Sequence, residues 1–431
     1  MTGRNRGTWT WLLVSALAAA CGRTGTRAPA AESGAAAERP TEVFGWVERD
    51  GASDPLAVLT DVHHHHHPDD LIITARAPSS DQARRALRER MLGNDPPDTF
   101  QANVGIDLMQ WVVFNGIDAL ESKLVPLDDV VAGIDSWRRA LPAELLERVS
   151  YRGKIYGVPA NVHRNNMIFY NKRLFAALGL TEPASVADLL AQGSKLRDRG
   201  VPLIAVGSRE PWTLSLVMFE CLLVSREGSA FYRDFFSGRL TPDDPRVVAA
   251  LRAGIDLFAF ANGDHPQLSW LDAVERVVRG QAAMTVMGEW ARGPFLAAGM
   301  KLGVDYGEVP FPGTADTFVF SADAFGLPVD AKNREGAQRL LATLGSVEGQ
   351  RAISRARGTL AARIDAPPAG DDPVLTRDYQ LLEAGHLLVA LSGMVPASVS
   401  ADLDSSLAEM LDRRDVEPVV QTLRSRYALL K

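Results

Sequence analysis

The sequence predicts an α/β protein of two lobes joined by crossing strands, and three observations predict it. The chain has 431 residues, more than one core of ordinary size encloses. From residue 43 onward, apolar strand patterns alternate with helical ones over short connections, the grammar of a mostly parallel sheet covered by helices. Gly157 and Pro159, and again P-F-P-G at 310–313, interrupt that grammar where a chain can pass between lobes.

Taken in order, 43–47 reads as the first strand. A helix runs from Pro55 to about His64 on an apolar face of Leu56, Val58 and Leu59, and 71–75 is the second strand. Ser79 starts a helix with Ala83, Ala86, Leu87, Met91 and Leu92 at helical spacing, ending at Gly93. After the turn D-P-P-D at 95–98 come a strand over 99–104 and a helix over 105–115. Gly153-Lys154 between Tyr151 and Ile155-Tyr156 is hairpin chemistry. Gly157 tolerates unusual backbone angles and Pro159 donates no N–H, so the pair is a hinge candidate. Residues 162–170 read as one strand, and Asn171 caps the helix that follows.

The same grammar then repeats. A helix is expected over 186–199, a buried strand over 203–206 and a hydrophobic helix over 214–224. Helices over 231–236, 247–261 and 271–279 precede a strand at 283–287. Beyond the break at 310–313, 325–328 returns as strand, with helices over 334–344 and 347–354. The remainder from Gly358 reads as helical, with one loop at 366–373.

The N-terminus reads as a signal peptide over 1–20, with Arg4 and Arg6 before an apolar core and small residues at 18–20. Cys21 at the first mature position resembles the lipidated cysteine of bacterial lipoproteins, with Ala18 where Leu is usual. Ordinary cleavage is the alternative. Residues 21–40 lack large apolar side chains and read as a flexible, lipid-anchored tether, spanning roughly 25 Å as a coil. The other cysteine, Cys221, sits in an apolar run and reads as a small buried hydrophobe. Hydrophobic content of 46% and charged content of 23% are ordinary for a globular protein. A net charge of −7 without a basic stripe gives no reason to expect a nucleic-acid partner.

Several motifs share one resemblance. They are Y-R-G-K-I-Y-G-V-P at 151–159 with F-Y-N-K-R-L-F at 169–175, N-V-H-R-N-N at 161–166, L-S-W-x-x-A-V-x-R-V-V-x-G at 268–280, V-M-G-E-W at 286–290, S-A-D-A-F-G-L-P at 321–328 and G-T-L-A-A-R at 358–363. Together they resemble the extracellular solute-binding proteins of ABC importers, in the sugar-binding branch that includes the maltose type, and most of all the bacterial glucose/mannose-binding proteins. The resemblance implies a periplasmic-binding-protein-like fold with a ligand cleft between lobes. We expect lobe one over 41–156 plus 311–357 and lobe two over 157–310 plus 358–431, hinged at Gly157 and Pro159. It also implies a carbohydrate ligand, ABC permease subunits as partners, a monomer exported to the cell envelope, and neither cofactor nor metal.

Sugars present flat apolar faces edged with hydroxyls, so a site needs rings to stack on and planar polar groups. Trp46, Trp212, Trp270 and Trp290 are candidates, each open to a core reading; the resemblance favours the first three and leaves Trp290 nearer the core. The resemblance also implies polar contacts, with departures. Of a tandem Trp pair only Trp46 remains, before Val47, and D-G-A-S at 50–53 replaces a Gly-Gly-Glu turn. Gln101-Ala102-Asn103 keeps the amide of a Gln-Gly-His segment and loses the imidazole. Glu289 stands for Asp, Arg357 for Lys, and Ser392 aligns with a pocket His. These changes argue against glucose itself and for a larger or more polar ligand, such as a disaccharide or an acidic sugar paired with Arg357. His163 reads as a structural residue near the hinge, with ligand contact as the alternative.

The run His63 to His67 reads as a solvated loop, and metal binding through it is the rival function. A same-fold sensor or scavenger is a second rival. No nucleophile elbow, zinc-protease, P-loop or dinucleotide motif is present, so no catalytic residue is expected.

Overall fold

The computed structural model describes residues 39–46, 54–113 and 122–430. The expected signal segment, Cys21, the expected tether up to residue 38 and the D-G-A-S segment at 50–53 lie outside the described residues. Among those described, the strands in chain order are β1 (Thr41–Trp46), β2 (Ile72–Ala77), β3 (Thr99–Asn103), β4 (Ser150–Tyr151), β5 (Lys154–Ile155), β6 (Gly157–Pro159) and β7 (His163–Arg164). There follow β8 (Met167–Asn171), β9 (Ile204–Ala205), β10 (Met284–Met287), β11 (Tyr306–Pro310), β12 (Phe318–Ser321), β13 (Asp323–Gly326) and β14 (Leu387–Val389).

Two sheets carry the two cores of an α/β, two-lobed fold. The first has the order β2-β1-β3-β13-β6. Strands β1, β2 and β3 are parallel because the helices Pro55–His66 and Ser80–Leu92 supply the crossovers, while β13 runs antiparallel to both β3 and β6. Ser79 caps the second of these helices, and Ala83, Leu87 and Met91, one turn apart, are its buried stripe. The second sheet has the order β11-β8-β10-β9, with β8 antiparallel to both neighbours, so it is not the parallel sheet expected from the strand–helix alternation. Helices such as Trp270–Val278 bury Ala273, Val274 and Val277 against it.

A third sheet, β14-β12-β7, stands between the cores, and its side chains alternate between them. Phe318, Phe320, Leu387 and Val389 join the first core, whereas Val319 and Leu388 join the second. That is the period-two alternation of a strand buried on both faces. All contacts taken together, Arg39–Lys431 form one unit.

The chain crosses this divider more than once. Expected as one strand, 162–170 is two: β7 pairs with β12 in the divider, and β8 pairs within the second sheet, with Asn165 and Asn166 between. The return path runs β11, β12, β13. Residues 358–364 lie with the first core through Leu360 and Ala362, and the C-terminal part joins the second from Leu388 onward, through Ala390, Leu391, Val395 and the helix Ala397–Arg413.

Four local expectations are corrected. Gly157 and Pro159 do not interrupt a ladder; they pair as β6 with Gly326 and Ala324. Gly157 is required by proximity, since a Cβ there would meet Leu108 Cδ2 at 2.4 Å. The helix expected over 105–115 is the short Ile106–Met109. The hydrophobic run at 214–224 opens as the α-helix Trp212–Ser215 and continues through a π-helical stretch, Leu216–Leu223. Finally, the histidine run is no loop, because the helix extends to His66. His63 is fully buried, with Nε2 2.9 Å from Asp70 and Nδ1 2.9 Å from Thr343.

Candidate functional site

Sheet edges, the divider and the second core converge on one cavity of about 970 Å³. From the first sheet side come Trp46 at the end of β1, Asn103 at the end of β3, and Asp81 and Arg84 on the helix Ser80–Leu92. The divider and the start of β13 contribute His163, Ser321 and Asp323. The second core contributes Trp212, Trp270, Trp290, Ser215, Glu220 and Ser392.

The indoles are held by specific local chemistry. Ser269 and Asp272 form a capping box, which fixes Trp270 as the first residue of its helix with its ring at the cavity. Glu210 Oε2 accepts the Trp270 N–H at 3.2 Å, tying the 207–211 loop to that cap. Gly207 makes this approach possible: a Cβ there would lie 1.9 Å from the Ser269 carbonyl oxygen. Trp290, which the sequence leaves nearer the core, lines the cavity. Its ring stands edge-on to His163 at 5.4 Å and to Trp212 at 6.0 Å.

His163 lines the cavity and is almost fully buried. Its Nδ1 is 2.7 Å from Glu289 Oε1 and its Nε2 3.5 Å from Asp323 Oδ2. Burial alone would lower the imidazole, but the two carboxylates outweigh it and raise the group to about 10. The ring is therefore an imidazolium at neutral pH.

Three predicted site residues stand behind the wall rather than on it. Glu289 does not line the cavity; it accepts from His163, and its Oε2 has no hydrogen-bond partner among the described residues. Gln101 accepts the Trp46 N–H at 3.3 Å and faces a separate pocket of about 40 Å³. Arg357 faces that small pocket too, donating to Asp323 Oδ2 at 3.2 Å. Desolvation lowers the guanidinium to about 10, so it stays charged at neutral pH. Arg357 does not line the large cavity, so the pairing with an acidic sugar expected from the sequence gains no support there.

Sequence reasoning missed Arg84, Asp323, Glu220 and Asp404, all of which line the cavity. A signal existed for two of them. Asp323 is the acid inside S-A-D-A-F-G, and Glu220 is the one charge in L-S-L-V-M-F-E-C-L-L-V. Asp404 sits in an ordinary amphipathic helix, which carried none. Among the described residues no group of three or more His, Cys, Asp or Glu could hold a metal ion, so the histidine run gains no support as a metal site.

A profile of the family described as bacterial extracellular solute-binding protein matches residues 67–351. The chain belongs to this family. This solute-binding protein is 33% identical over 340 residues to an uncharacterised ABC transporter extracellular-binding protein of Pyrococcus horikoshii, covering 77% of this chain and 74% of that one. It is 26% identical over 361 residues to a probable sugar-binding periplasmic protein of Brucella suis, with 82% of each chain covered. Among solved structures, a chitin oligosaccharide binding protein has the same fold at a TM-score of 0.77 and 19% identity, over 91% of this chain and 99% of that one.

Proposed function

We propose that this solute-binding protein captures a sugar or related polyol in the large cavity and delivers it to an ABC permease, performing no reaction on it. The observation that carries the reading is four indoles, Trp46, Trp212, Trp270 and Trp290, on one cavity edged with carboxylates, an amide and hydroxyls. Rings stack on the apolar faces of a pyranose, and the polar rim accepts and donates to its hydroxyls. The names of the Brucella suis and chitin-oligosaccharide relatives point to the same ligand class.

In this reading Asn103, His163 and Ser392 contact the ligand, while Gln101, Glu289 and Arg357 hold the groups that do. The lobes are the bodies around the two large sheets, hinged where the chain passes the divider, with Gly157 and Pro159 of β6 on the first-sheet side of that passage. A ligand touching both bodies favours their closed arrangement. The protein is a monomer, exported and anchored through a lipid on Cys21. The test is a thermal-shift screen over mono- and disaccharides and polyols. A ligand bound only by the folded state stabilises it by about 2.7 kcal/mol at a hundredfold excess over Kd, and a screen without any shift would contradict the reading.

A further inference from the structure

The charges that line the large cavity are not all paired: Arg85, on the exposed rim, and two buried carboxylates have no ion pair among the described residues. Arg84 pairs with Asp81 at 3.0 Å and Asp107 at 3.2 Å, Arg209 with Glu210 at 3.5 Å, and His163 with Glu289 and Asp323. Arg76 pairs with Asp54. Two cavity carboxylates, Glu220 and Asp404, have no ion-pair partner among the described residues. Both are more than nine-tenths buried.

Neither carboxyl accepts a hydrogen bond from a charged donor among the described residues. Glu220 accepts only from neutral donors, Asn165 Nδ2 at 2.8 Å and the Leu391 N–H at 3.0 Å. Asp404 Oδ1 accepts from Ser215 Oγ, and Oδ2 has no hydrogen-bond partner among the described residues although the residue lines the cavity. The π-helical stretch brings this pair together. In an α-helix Ser215 and Glu220, five residues apart, would lie about 140° apart around the axis. The wider turn over Leu216–Leu223 returns Glu220 to the face of Ser215, and both line the cavity. Burial raises both carboxyls, Asp404 to about 7, and at Asp404 the Ser215 hydroxyl and the nearby Arg84 charge oppose the rise without cancelling it.

We propose that the cavity selects a carbohydrate bearing a protonated amine, an amino sugar, whose ammonium sits between the carboxylates of Asp404 and Glu220. This rests on the sugar-binding reading above. A ligand hydroxyl could donate to Asp404 Oδ2 but brings no charge to its ionised form, whereas an ammonium donates to the carboxylate and neutralises it at once.

The test is calorimetry on the exported protein at a pH where sugar amines are protonated. The probes are glucosamine, galactosamine, mannosamine and the chitosan disaccharide, each against its hydroxyl and N-acetyl counterparts. The expected result is at least one amine bound about tenfold or more tighter than both counterparts, and a fall of that ratio to about threefold or less in Asp404→Asn. Should Asp404→Asn not fold, the wild-type comparison carries the test alone. Counterparts binding as well as every amine would overturn the inference and leave the sugar reading standing. An unchanged ratio in a folded Asp404→Asn would also overturn the inference, and binding of no carbohydrate at all would overturn both.

Discussion

His163 Nδ1 and Glu289 Oε1 lie 2.7 Å apart, joining the divider strand β7 to the turn that follows β10. Because Nε2 of the same ring faces Asp323, one imidazolium bridges carboxylates from the two large-sheet bodies at the cavity wall. The folded protein raises this group to about 10 from 6.5. Its contribution to stability is therefore complete below about pH 6.5 and is lost as pH rises toward about 10. His163→Gln should melt below the wild type at about pH 6, by the equivalent of about 3–5 kcal/mol for a broken buried charge pair. Scanning calorimetry should find the gap narrowing by about pH 10. An equal gap at both values would mean the ring is not an imidazolium.

Gly207→Ala should weaken ligand binding more than a conservative loop change would. The added methyl would strike the backbone of Ser269, not a movable side-chain end, so the 207–211 loop must retreat from the Trp270 cap. Trp212 and Trp270 then separate. Titration should show affinity falling about tenfold or more, about 1.4 kcal/mol, with the fold retained by circular dichroism. Unchanged affinity would detach this loop from the site.

Much of this was legible in advance. Caps and apolar stripes gave the helices, as at Ser79 and Asn171, because those signals are local. The tryptophans were legible as a class, since few residue types suit a sugar face. The divider was not. Whether 162–170 is one strand or two depends on which partners β7 and β8 find, and those lie more than 100 residues away. Asp404 was equally hidden, because it reaches the cavity only through tertiary packing of its helix. Arg357 looked like a ligand contact because its position, and not its ion pair, was readable.

The histidine run separates into one structural residue and its exposed neighbours. His63→Ala removes a partner from buried Asp70 and Thr343 and should cost about 1–3 kcal/mol in urea unfolding. His65→Ala, on the exposed face, should stay within about 0.5 kcal/mol. Burial lowers the His63 imidazole despite Asp70, so its contribution is present above about pH 6.5 and falls away in acid. Equal effects of the two substitutions would refute this division.

Replacing Cys21 with Ser should move the protein from membrane fractions into the soluble exported fraction. Stable anchoring takes more than one acyl chain, which a lipoprotein amino terminus supplies. Mass spectrometry of the wild type finding residue 21 unmodified would contradict the anchor.

The most direct test of the central claim is calorimetric titration of the sugar that gives the largest thermal shift, on the wild type, Trp212→Ala and Trp270→Ala. Both rings are only partly buried and pack at the edge of the second core, so the variants should fold. If the indoles form the sugar platform, each loss should cost on the order of 1 kcal/mol or more of binding, with the unfolding transition still cooperative. Wild-type affinity in both folded variants would place the sugar elsewhere and contradict the assignment of this cavity.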